Sequence, residues 1–157
     1  MAEAIEDRLG VFVRQLRHSI NHSVAVADTA DTFYESTLAQ TDGVTAEPVS
    51  HTSGQDDSGL TVLAALSHQD DEPFTGKLQR DRGGNDPYVK LYSGALIEFD
   101  IDDAVSDHQL GQLAYAVDNQ TVSSTEGDGS GGKLALAGRV YEVLDSTVKV
   151  YVQGILR

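Results

Sequence analysis

The chain has no cysteine and no tryptophan, and only 11 lysines and arginines stand against 25 aspartates and glutamates in 157 residues. Without cysteine, disulfides, thiolate metal sites and cysteine nucleophiles are excluded, so stability must come from packing or assembly. Without tryptophan, and with aromatic residues at 6%, the stacking platforms of a sugar-binding sandwich are scarce. No apolar run approaches the roughly 18 residues that a membrane span needs. At the N-terminus, Glu3, Glu6 and Asp7 replace the basic-then-apolar order of a signal peptide, so a soluble chain without a visible export signal is expected.

The net charge is −14, and it is unevenly placed. Among residues 1–22, Arg8, Arg14 and Arg17 balance Glu3, Glu6 and Asp7, so the rest of the chain carries the excess. A body this acidic repels phosphate backbones and anionic lipid, which argues against nucleic-acid and membrane partners. The acid is mostly aspartate (17 Asp to 8 Glu) and the base is poor in lysine (4 Lys to 7 Arg), a balance expected of proteins working in high salt. The plainer reading is a solvated acidic surface that maintains solubility.

The length suits one domain with a real core. In its first part, Ile5, Leu9, Phe12, Val13, Leu16 and Ile20 recur at helical intervals, with acids early and Arg14, Arg17 and His18 late, as the helix dipole favours. That pattern predicts an amphipathic helix over about the first 16 residues. Gly10, Val11 and Val13 pull the other way, and Phe12, Leu16 and Ile20 would also point inward from a strand. Residues 1–22 are therefore read as an amphipathic arm and 23–157 as the domain proper.

From Ser23 onward the chain reads as punctuated β structure. Residues 60–66 are apolar almost throughout, as in a strand buried on both faces. Residues 75–80 and 88–92 are expected to pair around a tip at 81–87 rich in Gly, Asn, Asp and Pro. Further strands are expected at 96–99, 113–117, 138–143 and 148–152. The last is the cleanest, since Val148, Val150 and Val152 share one face while Lys149 and Tyr151 share the other. Residues 144–147 form the turn between the last two strands. Residues 100–108 read as an acidic stretch with one helical turn, and residues 51–59 as a polar loop. The segment 121–132, ending in Glu-Gly-Asp-Gly-Ser-Gly-Gly, is expected to be the most flexible. The sum is a mainly β fold, a small barrel or sandwich of eight or nine short strands.

Chemistry-bearing constellations are sparse. Of the five histidines, only His18 and His22 have ligand-like spacing, and they lack both the glutamate of a hydrolytic zinc motif and a third ligand. Asp100, Asp102 and Asp103 lack the glycine and closing glutamate of a calcium loop, so a loop with aspartates facing water is the better reading. Gly127-Asp128-Gly129-Ser130-Gly131-Gly132 resembles a phosphate cradle, but Lys133 is followed by Leu134 where a hydroxyl is needed. No Gly-x-Ser-x-Gly turn is present. No catalytic, metal or cofactor site is therefore assigned.

Several stretches together resemble the head-decoration, or capsid cement, proteins of tailed viruses. They are Thr32-Phe33-Tyr34-Glu35-Ser36-Thr37-Leu38-Ala39 with Asp42-Gly43, then 59–66, then 88–91 with 93–100. The most specific part is C-terminal: 110–122, Ala137-Gly138-Arg139-Val140-Tyr141-Glu142-Val143, and Val148-Lys149-Val150-Tyr151-Val152. The resemblance covers about residues 23–157; the stretches 51–58 and 127–132 are longer than its pattern.

The resemblance implies a non-enzymatic β module that assembles as a homo-oligomer, often a trimer, on the outer surface of an icosahedral head, with the major capsid protein as partner and no cofactor. Within that expectation the charge-balanced arm is the candidate for gripping the shell or a neighbouring copy, through Ile5, Leu9, Phe12, Arg14, Leu16 and Arg17. Its plainer alternative is packing on the barrel. Competing readings are a tail- or fibre-associated or glycan-binding module, and a hydrolase in which one histidine meets a carboxylate in a pocket.

Overall fold

A long strand with a partner on each edge organises the molecule. The computed structural model describes residues 12–28, 31, 33–65, 79–80 and 87–154. The strands are β1 (Phe12–Val26), β2 (Thr37–Thr41), β3 (Thr45–Pro48), β4 (Thr61–Ala65), β5 (Gln79–Arg80), β6 (Pro87–Ile101), β7 (Leu113–Ala116), β8 (Thr121–Ser123), β9 (Ala135–Val143) and β10 (Thr147–Val152). The expected strands at 88–92 and 96–99 are one continuous element, β6, with Gly94 between them at φ +81°.

Pairing along β6 is two-sided. Tyr92 meets Ala64 of β4 on one edge and Asn21 of β1 on the other. Ile97 meets Val150 of β10 and Phe12 of β1, and Asp100 meets Thr147 of β10 and Thr121 of β8. Strands β10 and β4 therefore share one edge of β6, and β8 and β1 share the other. Following the ladders outward, β6–β10–β9–β7–β8 returns to β6, and β6–β4–β2–β3–β1 also returns to β6. The sheet thus closes into two five-stranded rings with β6 in common, a mainly β barrel architecture. Each closure uses a short parallel ladder, Asp100↔Thr121 with Ile101↔Val122 in one ring and Ala25↔Thr45 with Val26↔Ala46 in the other. Within the rings, closure removes open edges that would template further pairing, while β5 lies off both rings and pairs with β6.

Two apolar clusters follow from this geometry. The larger contains Leu38, Val62, Ile97, Phe99, Val140, Val148, Val150 and Val152; the smaller contains Phe33, Ala39, Leu63, Ala65, Val89 and Leu91. Strands β2 and β4 are the wall between them, so Leu38, Val62 and Ala64 face one cluster while Ala39, Leu63 and Ala65 face the other. This is why residues 61–65 read as buried on both faces. A five-stranded ring is narrow, and Ala95, Ala114, Ala116, Ala135 and Ala137 keep its interior within reach of the larger side chains. At Gly138 even a methyl group would meet the backbone carbonyl of Tyr151.

The helix expected over the first 16 residues is not continued into the described chain. From Phe12 onward the backbone is strand, because β6 offers β1 a ladder running from Ile97 back to Tyr88, and the β-branched residues suit it. Residues 1–11 lie outside the described residues, as do the tip at 81–86 and His68. The boundary placed at residue 22 falls inside β1. The helical turn expected within 100–108 is a 3-10 turn at Val105–Asp107, while Asp100 and Ile101 belong to β6. Strand β8 lies where a flexible segment was expected.

Candidate functional site

The polar loop at 51–59 and the glycine-rich segment at 127–132 meet on the surface. Lys133 joins their far ends: its N–H donates to Gln55 O at 3.0 Å, and its carbonyl accepts from Asp57 N at 2.8 Å. Nearer the tips, Asp128 gathers the backbone. Its Oδ1 accepts from Ser130 N and Gly132 N, and its Oδ2 accepts from Gly54 N of the opposite loop at 2.7 Å. Gly132 is required there, since a Cβ would run into Asp128 and the carbonyl of Gln55.

Between the loops lies His51. Its Nδ1 is 2.6 Å from Asp57 Oδ2 and its Nε2 is 2.7 Å from Asp128 Oδ2. All three side chains are buried, none more than 7% exposed. Ionised carboxylates only accept, so this geometry uses both ring nitrogens as donors. Burial alone would lower the pKa of His51; the hydrogen bonds and charges of Asp128 and Asp57 outweigh it and raise the pKa. The bond from His51, followed by the N–H groups of Gly54 and Ser130, holds the Asp128 carboxyl far below the usual range.

A second histidine, His108, is fully buried and donates Nε2–H to Asp103 Oδ1 at 2.6 Å. Asp103 Oδ2 accepts from both the N–H and the hydroxyl of Ser124. Burial opposes the charge on Asp103, but Ser124 and His108 prevail and lower its pKa. Its neighbour Asp102 goes the other way, raised first by burial and then by the charge of Asp103.

The two clusters border one cavity of about 1030 Å³, lined by His51, Asp102, Asp103, Tyr115, Ser124 and Asp128 among others. A histidine does therefore meet carboxylates in a pocket, the condition a hydrolase would need. The arrangement of hydrogen bonds differs from that of an activated nucleophile. His51 has no free lone pair while both nitrogens donate, and Ser124 donates to a carboxylate of depressed basicity instead of to an imidazole. Among the described residues, no group of three or more histidines, aspartates or glutamates is placed to hold a metal ion. In the 100–103 stretch, both oxygens of Asp103 are already engaged by His108 and Ser124.

The candidate contact residues of the arm divide. Ile5 and Leu9 lie outside the described residues. Phe12 and Arg14 sit on β1 opposite Ile97 and Leu96. Between Gln15↔Ala95 and Ile20↔Ser93, the four residues 16–19 stand against Gly94 alone, so Leu16 and Arg17 belong to a wide excursion of β1 at the middle of β6. His18 shares that excursion, and His22 follows on the exposed part of β1. Sequence reasoning missed His51, Asp57, Asp128, His108 and Asp103, because their partners come together only through the fold. The one local signal was an aspartate followed by glycines, which folds its own loop around the carboxylate. Compared with family models, curated proteins and solved structures, the chain matches none.

Proposed function

We propose that the chain is a structural virion protein that decorates and stabilises the outer surface of an icosahedral tailed-virus capsid, a role without catalysis. Its partners are then the major capsid protein and further copies of itself, as a homotrimer. The observation that carries this reading is an apolar, charge-balanced patch on a closed and acidic body. On the outer side of β9 and β10, Tyr141 and Tyr151 lie near Leu110 and Arg139, with Leu110 75% and Tyr141 52% exposed.

Tyr141 is the extra residue of a bulge, since Lys149 pairs with Glu142 and Val150 with Val140. Bulges re-aim side chains, and this one sits beside the exposed apolar residues. The patch's one carboxylate, Glu142, is held by Lys149 at 2.9 Å. Acidic copies approach each other most readily where carboxylates are absent or paired, and Arg139 gives such a contact a cation for the next copy's acidic surface. The patch is accordingly assigned to a second copy, and the Leu16–Arg17 excursion to the capsid shell.

The test is cosedimentation with heads assembled without this protein, together with the solution mass. The intact chain is expected to attach stoichiometrically. Replacing Leu16 by Asp and Arg17 by Glu removes attachment at unchanged mass, whereas L110D with Y141D lowers the mass. Point changes are preferred to deletion of residues 1–22, which would remove most of β1. An intact chain that leaves heads bare overturns the reading, and attachment to tails or fibres would replace it with a tail-associated module.

A further inference from the structure

The histidine that bridges the two surface loops is charged on both sides by acids of different standing. Asp128 has three backbone donors besides His51, namely Gly54 N, Ser130 N and Gly132 N. Asp57 is bound through Oδ2 to His51, and its Oδ1 is buried without a hydrogen-bond partner. The last proton on the ring therefore has more to stabilise at Asp57 than at Asp128.

We propose that His51 is a proton-operated latch between residues 51–54 and 127–132, closed while both ring nitrogens carry hydrogen and released when the Nε2 proton is lost to solvent. In the released form Nδ1–H stays on Asp57, and the Nε2 lone pair faces a carboxylate oxygen. Two lone pairs at that separation repel, so the histidine contact that ties Asp128 to the other loop fails. Lys133 acts as the hinge, because its bonds to Gln55 and Asp57 involve only backbone groups. The change is thereby confined to the loop tips that border the cavity.

The carboxylates around His51 favour the closed form near neutrality. Asp57 faces it from its own loop and Asp128 from the opposite one. Beyond them stand Asp56, and Lys133 with Glu126, the last two 3.8 Å apart. Asp102, Asp103 and Asp107 line the same cavity. Because the folded form raises the pKa of His51 above 6.5, the latch's contribution is complete below 6.5 and is lost as pH rises through the folded value.

The experiment combines imidazole ¹⁵N chemical shifts of the full chain with amide exchange, expressed as protection factors, across neutral to alkaline pH. The expected result is a titration of His51 to the Nδ1–H tautomer. Protection of Gly54, Ser130 and Gly132 should drop by about tenfold over the same pH range, while Val140 and Val150 are unchanged. In H51Q the protection of those three amides should not depend on pH. Titration of His51 with no change at those amides overturns the latch, as does an Nε2–H tautomer or the same drop in H51Q. If H51Q does not fold, the coincidence of the two titrations in the wild type decides alone.

Discussion

His51 Nε2 lies 2.7 Å from Asp128 Oδ2, although 77 residues separate the two in the chain. Removing this histidine leaves two carboxylates facing each other, one of them the buried Asp57 with an oxygen already unpartnered. H51A is expected to lose about 3 kcal/mol of stability at pH 7, read as a lower urea midpoint with an unchanged slope. A loss under about 0.5 kcal/mol would mean that the pair is solvated and holds nothing.

Asp103 contributes on the acid side. Its pKa is depressed below 3.8, so its contribution is full above 3.8 and is lost as pH falls through the folded value. D103N should cost about 1–3 kcal/mol at pH 7, because the buried His108 and Ser124 lose a charged acceptor. It should also flatten the fall in stability below pH 3.8. Urea titrations of wild type and variant at several pH values check both, and an equally steep fall in the variant would assign the acid limb to other groups.

Two glycines separate steric need from backbone need. Gly138 has the carbonyl of Tyr151 against the place a Cβ would occupy, whereas Gly129 has open space but φ +79°. G138A should be the worse, costing about 3 kcal/mol or more by forcing β9 from β10, against about 1 kcal/mol for G129A. Thermal unfolding of the two variants compares them directly; the reverse order would contradict the close packing of β9 on β10.

Salt should stabilise the protein. With a net charge of −14, self-repulsion acts over a screening length that shrinks from about 10 Å at 0.1 M to about 3 Å at 1 M. The melting temperature is expected to rise by roughly 5 °C over that range. No rise would mean that the acids are already spaced or paired well enough to be harmless.

How much of this could be read from the chain depended on whether the determining contact was local. The β9–β10 hairpin was legible, since Val148, Val150 and Val152 alternate with Lys149 and Tyr151 and the turn closes with Leu144 N on Thr147 O. So was the two-sided burial of 61–65. Strand β1 was not, because helix-like spacing competes with a ladder to β6, whose partners lie some 70 residues away. The three residues of β8 are too few to show any period, and they are fixed by closing the ring on Asp100 and Ile101. The glycine-rich segment read as flexible because its anchor, His51, lies in another loop. Composition alone registers the glycines, and geometry supplies the carboxylate that ties them down.

The central claim is that this protein strengthens a viral head from outside. The direct measurement is the survival of heads assembled without it, heated with and without the full chain, with bound copies counted on the same particles. The account predicts regular outer-surface occupancy and heads that keep their genome to a higher temperature than bare ones. Heads that bind no copies, or that bind them and rupture at the same temperature as bare heads, would contradict it.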